Sequence, residues 1–578
     1  MSFLLDLITT LIYYCVLIFS YLGLGWITSQ LLSIKFSQPG RPFSLIWLGW
    51  AVALLLLQAI HIFVPIVLLW GILLFLIGLI SAFTYLRTDA QYVNTLLASH
   101  LWLGLIGSTA ILIAILSMQT PKAYDSGLYH FNSVRWLNEY PIVLGVGNLH
   151  GRLAFNQAFF AFVAHLNLYP VFNQGHHIAN GFLIFLLLAE ELLYLSQHIT
   201  KSEQIVNLSA NNMLAIFAIP VTVYLALYDD LPAPAPDTAS AILQILIFIY
   251  FIRAMEGSIS GANDDSQMLF VFIMSATIIT VKISNLVFVL TICAVLLITR
   301  LRHWHVSPGQ AIARTTKMLA LPFFIIVIWC LRGILLSGCP AYPSTFGCIN
   351  ASWSVPIEAI QNQADWIYSW ARMPREVPEK VLSSWDWLKP WFNSAILTNK
   401  LSIVYPLVIS CLGFIIILGM YLRGLSSKTM NKILFLIPIP ILTGLIFWFF
   451  SAPDPRFVQS LILLLPIAIA VILVNMFEIT GKLRNGMLIT ALLIININTS
   501  WAIFEGTQPL TEFPVHGFRP TRMVRLIKNT TSSGLDVFSP KKDDQCWDSE
   551  LPCTPEFKDE LGFDDNIICP EFRVTVGK

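Results

Sequence analysis

The sequence predicts an all-α polytopic transmembrane protein with about fourteen spanning helices, a juxtamembrane amphipathic helix and a small extracytoplasmic C-terminal tail domain. Three observations carry that prediction. Of 578 residues, 56% are hydrophobic and 12% charged, where soluble domains carry about twice that charged fraction; mean hydropathy is +0.72. Apolar runs long enough to cross about 30 Å of hydrocarbon recur along most of the chain. After Glu505 the composition turns polar, rich in proline and aspartate. A formal net charge of +1 and the lack of any lysine–arginine run give no case for a nucleic-acid partner.

The predicted spans lie near 3–27, 43–60, 62–85, 98–118, 176–197, 211–228, 239–254, 267–281, 284–300, 317–337, 402–422, 432–450, 456–476 and 485–504. The first has Asp6 where a signal peptide carries basic residues and is longer than a signal-peptide core, so it reads as a retained span. A further apolar run, 153–170, is interrupted by Asn156, Gln157, His165 and Asn167. Orientation turns on it. If that run does not cross, Lys35, Arg41, Arg87, Lys201, Arg253, Arg300, Arg302, Arg314, Lys317, Arg423, Lys428, Lys432, Lys482 and Arg484 all fall in loops on one side, as the positive-inside rule requires. If it crosses, the two halves of the chain need opposite rules. The non-crossing reading therefore puts segment 119–175, the acidic turn 229–237, Lys282, loop 338–401, Arg456 and tail 505–578 together on the extracytoplasmic face of an inner membrane.

Segment 123–140 is polar and aromatic between apolar spans, and Gly147-Asn-Leu-His-Gly-Arg152 closes it. At 100° per residue Asp125, Tyr129, Asn132, Trp136 and Glu139 share one face, while Leu128, Phe131, Val134 and Leu137 share the other. Such a helix is expected to lie on the membrane surface with its polar face away from lipid. His130 falls with the apolar face and reads as structural. Asp125 is placed to take a proton from a hydroxyl or to hold a divalent cation; the plainer alternative is a helix cap.

The next candidates are Asp229, Asp230 and Asp237, in Tyr228-Asp-Asp-Leu-Pro-Ala-Pro-Ala-Pro-Asp237, where prolines fix the spacing of the carboxylates. An ordinary turn, with Asp237 capping the following helix, is the alternative. Lys282 lies in the tightest hairpin between spans and reads either as functional or as snorkelling to the headgroups. Ser451-Ala-Pro-Asp-Pro-Arg-Phe457 offers Arg456 on a stiff approach, suited to gripping phosphate oxygens in pairs. Arg332, inside a span, needs a partner, water or a phosphate. His150 and Arg152, between glycines, are placed to touch a ligand. Trp366, Trp370, Trp385, Trp387 and Trp391 suit either stacking on sugar rings or an interfacial belt.

Five of nine cysteines fall in segments assigned to the outside, where disulfides persist. Cys339 with Cys348 and Cys546 with Cys553 are the expected bridges, leaving Cys569 unpaired; the spacings match no zinc pattern well.

A first-loop aspartate, a juxtamembrane amphipathic helix, a second acidic site and a distal arginine together resemble the GT-C superfamily of integral-membrane glycosyltransferases. The phrases Tyr-Asp-Ser-Gly-Leu-Tyr-His, Gly-Asn-Leu-His-Gly-Arg-Leu-Ala-Phe-Asn, Ala-Pro-Asp-Pro-Arg-Phe and Gln-Cys-Trp with Leu-Pro-Cys-Thr-Pro are similar to those of a poorly characterised bacterial family of polytopic membrane proteins. The GT-C resemblance implies transfer of a sugar from a polyprenyl-phosphate or polyprenyl-diphosphate donor to an extracytoplasmic glycan, lipid or protein acceptor, within cell-envelope glycan assembly. It implies helices 1–97 ahead of a GT-C-like module at 98–337, an external loop 338–401, C-terminal helices 402–504 and the tail 505–578. Asp125 would be the catalytic carboxylate, with Asp229 or Asp230 as the second acidic site. Arg456, with Lys282 and Arg332, would neutralise the donor phosphate. A divalent cation, magnesium or manganese, would fall to Asp125 and Asp230. The chain departs from the pattern in its three preceding spans and in lacking an adjacent acid beside Asp125. The other classes weighed are a polymerase of lipid-linked repeat units, a lipid-linked saccharide transporter and a non-catalytic envelope assembly protein. A transporter would distribute charge along many spans, whereas these charges gather at one face.

Overall fold

A computed structural model describes residues 2–36, 40–88, 99–200, 209–259, 265–301, 308–423, 435–476, 517–564 and 570–574. In chain order the helices are α1 Ser2–Leu32, α2 Arg41–His61, α3 Leu68–Thr88, α4 His100–Ser117, α5 Phe131–Glu139, α6 Phe159–Leu166, α7 His176–Thr200 and α8 Ala210–Tyr228. There follow α9 Pro236–Ile259, α10 Asp265–Val281, α11 Leu286–Leu301, α12 Pro308–Ser337, α13 Ile357–Arg372, α14 Tyr405–Leu422, α15 Ile439–Ser451 and α16 Gln459–Met476. Among the described residues, nine (α1 to α4, α7 to α9, α12 and α14) are long and apolar enough to cross a membrane. The chain is a multi-pass membrane protein by helix length and composition. Helices α10, α11, α15 and α16 are shorter apolar helices, because turns at Lys282–Asn285 and Pro453–Val458 cut into the apolar runs. The expected span at 485–504 lies outside the described residues.

Helices α7 and α9 hold the centre. The run from Ile242 to Ile252 in α9 is buried on every side, as an all-round apolar helix must be. It packs against α8, α10, α11 and α16. Helix α1 lies in close contact with α2 and α3. Gly25 faces the backbone of Leu45, and Gly49 that of Tyr21, leaving no room for a side chain at either glycine. Small residues of this kind bring membrane helices together where water supplies no driving force.

The stretch between α4 and α7 leaves and returns at one end of the bundle. The Nδ1 of His177, in the first turn of α7, lies 2.7 Å from the Ser117 carbonyl that closes α4. Helix α6 has eight residues, about 12 Å at 1.5 Å per residue, far below the thickness of a bilayer core. The expected surface position of the amphipathic helix is corrected: α5 is buried. Asn138 of α5 donates to the carbonyls of Ile66 (2.7 Å) and Ala164 (3.0 Å), binding it to the α2–α3 turn and to α6. The tail packs on this segment through Trp547 against Phe131, Asp548 against Arg135 and Phe572 against Trp136.

That tail corrects the all-α expectation. It folds as two antiparallel hairpins, β1 Leu526–Thr530 with β2 Asp536–Pro540 and β3 Leu561–Asp564 with β4 Glu571–Val574. Phe572 donates its amide to the Leu144 carbonyl, and Leu144 its amide to the Pro570 carbonyl, both at 2.9 Å. The amide of Trp547 donates to the Gly127 carbonyl at 2.7 Å. Both expected disulfides close, Cys339–Cys348 at 2.01 Å and Cys546–Cys553 at 2.04 Å; Cys569 lies outside the described residues. In the long loop after α12, Trp387 and Trp391 are buried against Phe449 while Trp366, Trp370 and Trp385 are exposed.

Candidate functional site

Segments far apart in sequence meet at one end of the bundle around a cavity of about 220 Å³. Asp125, Asp229, Asp230, Asp237, Lys282 and Arg456 line it, with His130, Tyr124, Thr238, Ser240, Gln244, Phe457 and Ser460.

Asp125 begins a single π turn, Ser126–His130, that leads into α5. Its side chain makes no capping hydrogen bond. Instead Oδ1 accepts from Arg152 Nη1 and Oδ2 from Arg456 Nη1, each at 2.9 Å. The carboxylate is thus a bridge between two guanidinium groups, with Arg152 also over the Tyr129 ring. The π turn corrects the helical-wheel reading as well. It advances the chain by one extra residue per turn, which rotates His130 into the cavity and carries Asn132, Trp136 and Glu139 away from Asp125. Burial lowers the His130 pKa to about 4, against the pull of Asp125 and Asp237, so the ring is neutral near pH 7. Asn132 is buried, Trp136 packs on Tyr140 and Phe572, and Glu139 pairs with Arg135 at 2.6 Å.

The acidic turn follows from its prolines. Helix α8 stops at Tyr228, Pro232 and Pro234 keep the next residues out of a helix, and Pro236 starts α9 at the position where its missing amide costs nothing. Asp237 therefore sits in the first turn of α9, where a negative charge suits the helix dipole, and pairs with Lys282. Asp230 Oδ2 accepts from the backbone amides of Lys122 and Ala123, each at 2.6 Å, so the two external segments are tied directly. Burial raises the Asp229 pKa to about 7, with Asp237 and Asp230 adding to the rise and a hydrogen bond from Thr238 opposing it. Burial raises that of Asp230 too, the two backbone amides opposing.

Lys282 lies over the Phe457 ring, Nζ 4.0 Å from its centre. Its turn is held by Asn285, which donates to the Lys282 carbonyl (2.9 Å) and to Ser240 Oγ (2.8 Å) while accepting from Gln244 (2.6 Å). Arg456 is fixed from behind. Asp454 Oδ1 accepts from its amide at 3.0 Å, Trp391 Nε1 donates to the Pro453 carbonyl at 2.7 Å, and Trp448 Nε1 to the Asp454 carbonyl at 2.8 Å. Arg372 of α13 donates to the carbonyls of Ser451 and Phe450. The backbone is clamped, while the Arg456 side chain is 45% exposed.

Two candidates lie elsewhere. Arg332 is buried in a separate, smaller cavity with His61 and Asn156 and does not reach Arg456 or Lys282. His150 does not line the main cavity; burial, with Arg152 and Lys558 nearby, lowers its pKa to about 3. Residues that sequence reasoning passed over are Ser240, Gln244, Asn285 and Ser460. They form a polar chain inside apolar helices, and their one signal is that polarity. Among the described residues no three carboxylate, imidazole or thiol groups converge to hold a metal ion. Asp125 and Asp230 are already committed to guanidinium and amide donors, so this donor set does not fit the divalent cation considered above.

No curated protein and no solved structure matches the chain. The model of one family, described as a domain of unknown function (DUF8201), matches residues 7–463, a stretch that contains every lining residue of the cavity. The chain belongs to the DUF8201 family.

Proposed function

We propose that this protein is a GT-C-like membrane glycosyltransferase that moves a sugar from a polyprenyl-phosphate or polyprenyl-diphosphate donor to an acceptor on the extracytoplasmic side, in cell-surface glycan assembly. The observation that carries this reading is the convergence of Asp125, Arg456, Lys282 and Asp237 on one cavity. A proton acceptor and two phosphate-binding cations meet there, at the end of a bundle that lipid-borne substrates can reach.

In the resting protein the charges satisfy one another: Arg456 with Asp125, Lys282 with Asp237. A donor phosphate brings more negative charge than a single carboxylate and accepts the paired donors of a guanidinium. It draws Arg456 toward itself and leaves Asp125 Oδ2 without its partner, while Arg152 keeps Oδ1 in place. Asp125 then accepts the proton of the acceptor hydroxyl as that oxygen bonds to the anomeric carbon. The bond from that carbon to the phosphate oxygen breaks, and Arg456 and Lys282 take up the charge on the departing phosphate. Asp229, which keeps its proton to about pH 7, can hydrogen-bond a sugar hydroxyl or phosphate oxygen as a donor.

The test is D125N in cells that carry the natural substrates. The expected result is loss of the surface glycan with accumulation of its lipid-linked sugar. Unchanged glycan and no accumulation, with protein at normal levels, would contradict the proposal.

A further inference from the structure

The second cavity, of about 40 Å³, shares no lining residue with the aspartate cleft. His61, Ser133, Trp136, Asn156, Gln157 and Arg332 supply its polar lining, and no carboxylate does. Arg332 is 5% exposed. Its Nε donates to Asn156 Oδ1 at 3.2 Å, and its Nη1 to the Gln58 carbonyl at 3.3 Å and to His61 Nδ1 at 2.8 Å. All three partners are uncharged, since a histidine nitrogen that accepts from a guanidinium carries no proton there. Among the described residues no carboxylate lines this cavity or bonds to Arg332. Trp136 and Ser133 line the same space, and Trp136 Nε1 and Ser133 Oγ are buried without a protein partner.

We propose that this cavity is a binding site for a small monovalent anion of chloride size, held by Arg332, Trp136 and Ser133. A buried charge without a counter-charge is costly, and one monovalent anion removes that cost. A water molecule fits the space, since a cavity needs roughly 10–15 Å³ to hold one, but it would leave the charge unbalanced. The space is far too small for a sugar phosphate. Gln157 can turn its amide NH2 toward the ion, since its terminal oxygen has no protein partner to hold it. The ion would join α2, α12, α5 and the turn at Asn156, locking the buried base on which the cleft-lining segment stands.

The test measures unfolding of the purified full chain in detergent, moved from sodium gluconate into sodium chloride at constant ionic strength. Chloride is expected to raise Tm by a few degrees and then saturate, as a ligand that binds only the folded state does. R332Q should lose that rise, and W136F, which keeps the aromatic packing but not the indole N–H, should move the chloride midpoint up severalfold. R456Q should leave the midpoint unchanged, which separates this site from the cleft. The proposal is overturned if the wild type unfolds at the same temperature in both salts, or if R332Q keeps the rise. It is equally overturned if R456Q is the variant that loses it. Should R332Q fail to fold, an unchanged midpoint in W136F decides against the site.

Discussion

The two cavities at this end of the bundle treat charge in opposite ways. In the larger, carboxylates and cations pair with one another: Asp125 with two arginines, Asp237 with Lys282. In the smaller, a single guanidinium is buried among neutral partners. Pairs that line a cavity can be exchanged for a ligand's charge, because a phosphate offers each cation a replacement partner. A buried lone charge offers no such exchange and acts as part of the framework. The contrast teaches that Arg456 and Arg332, alike in sequence as arginines near the ends of spans, belong to different tasks.

The sharpest way to break that contrast is at Asp125. D125N should lower transferase activity by about a hundredfold to ten-thousandfold, the range for removing a general base, with Tm little changed; activity is to be followed by transfer of labelled sugar from lipid donor. R456Q should reduce the same rate by about a hundredfold or more through lost phosphate stabilisation, again with little effect on Tm. R332Q should do the reverse, lowering Tm more than it lowers the rate constant of protein that remains folded. A fourth change probes the cover over the cleft. A Cβ at Gly127 would lie 2.5 Å from the Trp547 ring, so G127A should destabilise the docked tail by about 1–3 kcal/mol, read as earlier proteolytic loss of residues after 517. The last probe is pH. Asp229 binds its proton up to about pH 7 in the fold against 3.8 ordinarily. The unfolded chain releases that proton at lower pH, so this group's contribution to stability falls as pH rises from about 4 to about 7. D229N should flatten that part of the curve of Tm against pH.

Much of the cleft was legible because an apolar chain can afford charge only where spans end. Asp125, Asp229, Asp230, Asp237, Lys282 and Arg456 all sit at such ends, and one topological choice, that 153–170 does not cross, puts them on one face. The eight-residue α6 and the return of α7 beside α4 are the structural counterparts of that choice. His130 was not legible, because a helical wheel assumes a constant turn and the π turn at Ser126–His130 breaks it. Arg332 was misgrouped for a different reason. Sequence shows its depth in a span but not which neighbours α2 and the Asn156 turn present to it. The hairpins of the tail were equally hidden, since four- and five-residue strands with mixed exposure carry almost no periodic signal. Trp391 reads as a belt residue or a sugar platform, yet its indole N–H, together with that of Trp448, clamps the segment that carries Arg456.

We propose that the cleft receives the donor's phosphate by taking Arg456 from Asp125. The most direct measurement is the Kd for a polyprenyl monophosphate in wild type, R456Q and D125N, all in the same detergent. Binding is expected to be at least tenfold weaker in R456Q and about fivefold tighter in D125N, where the competing carboxylate charge is gone, a gain of about 1 kcal/mol. Equal affinity in all three proteins would contradict it.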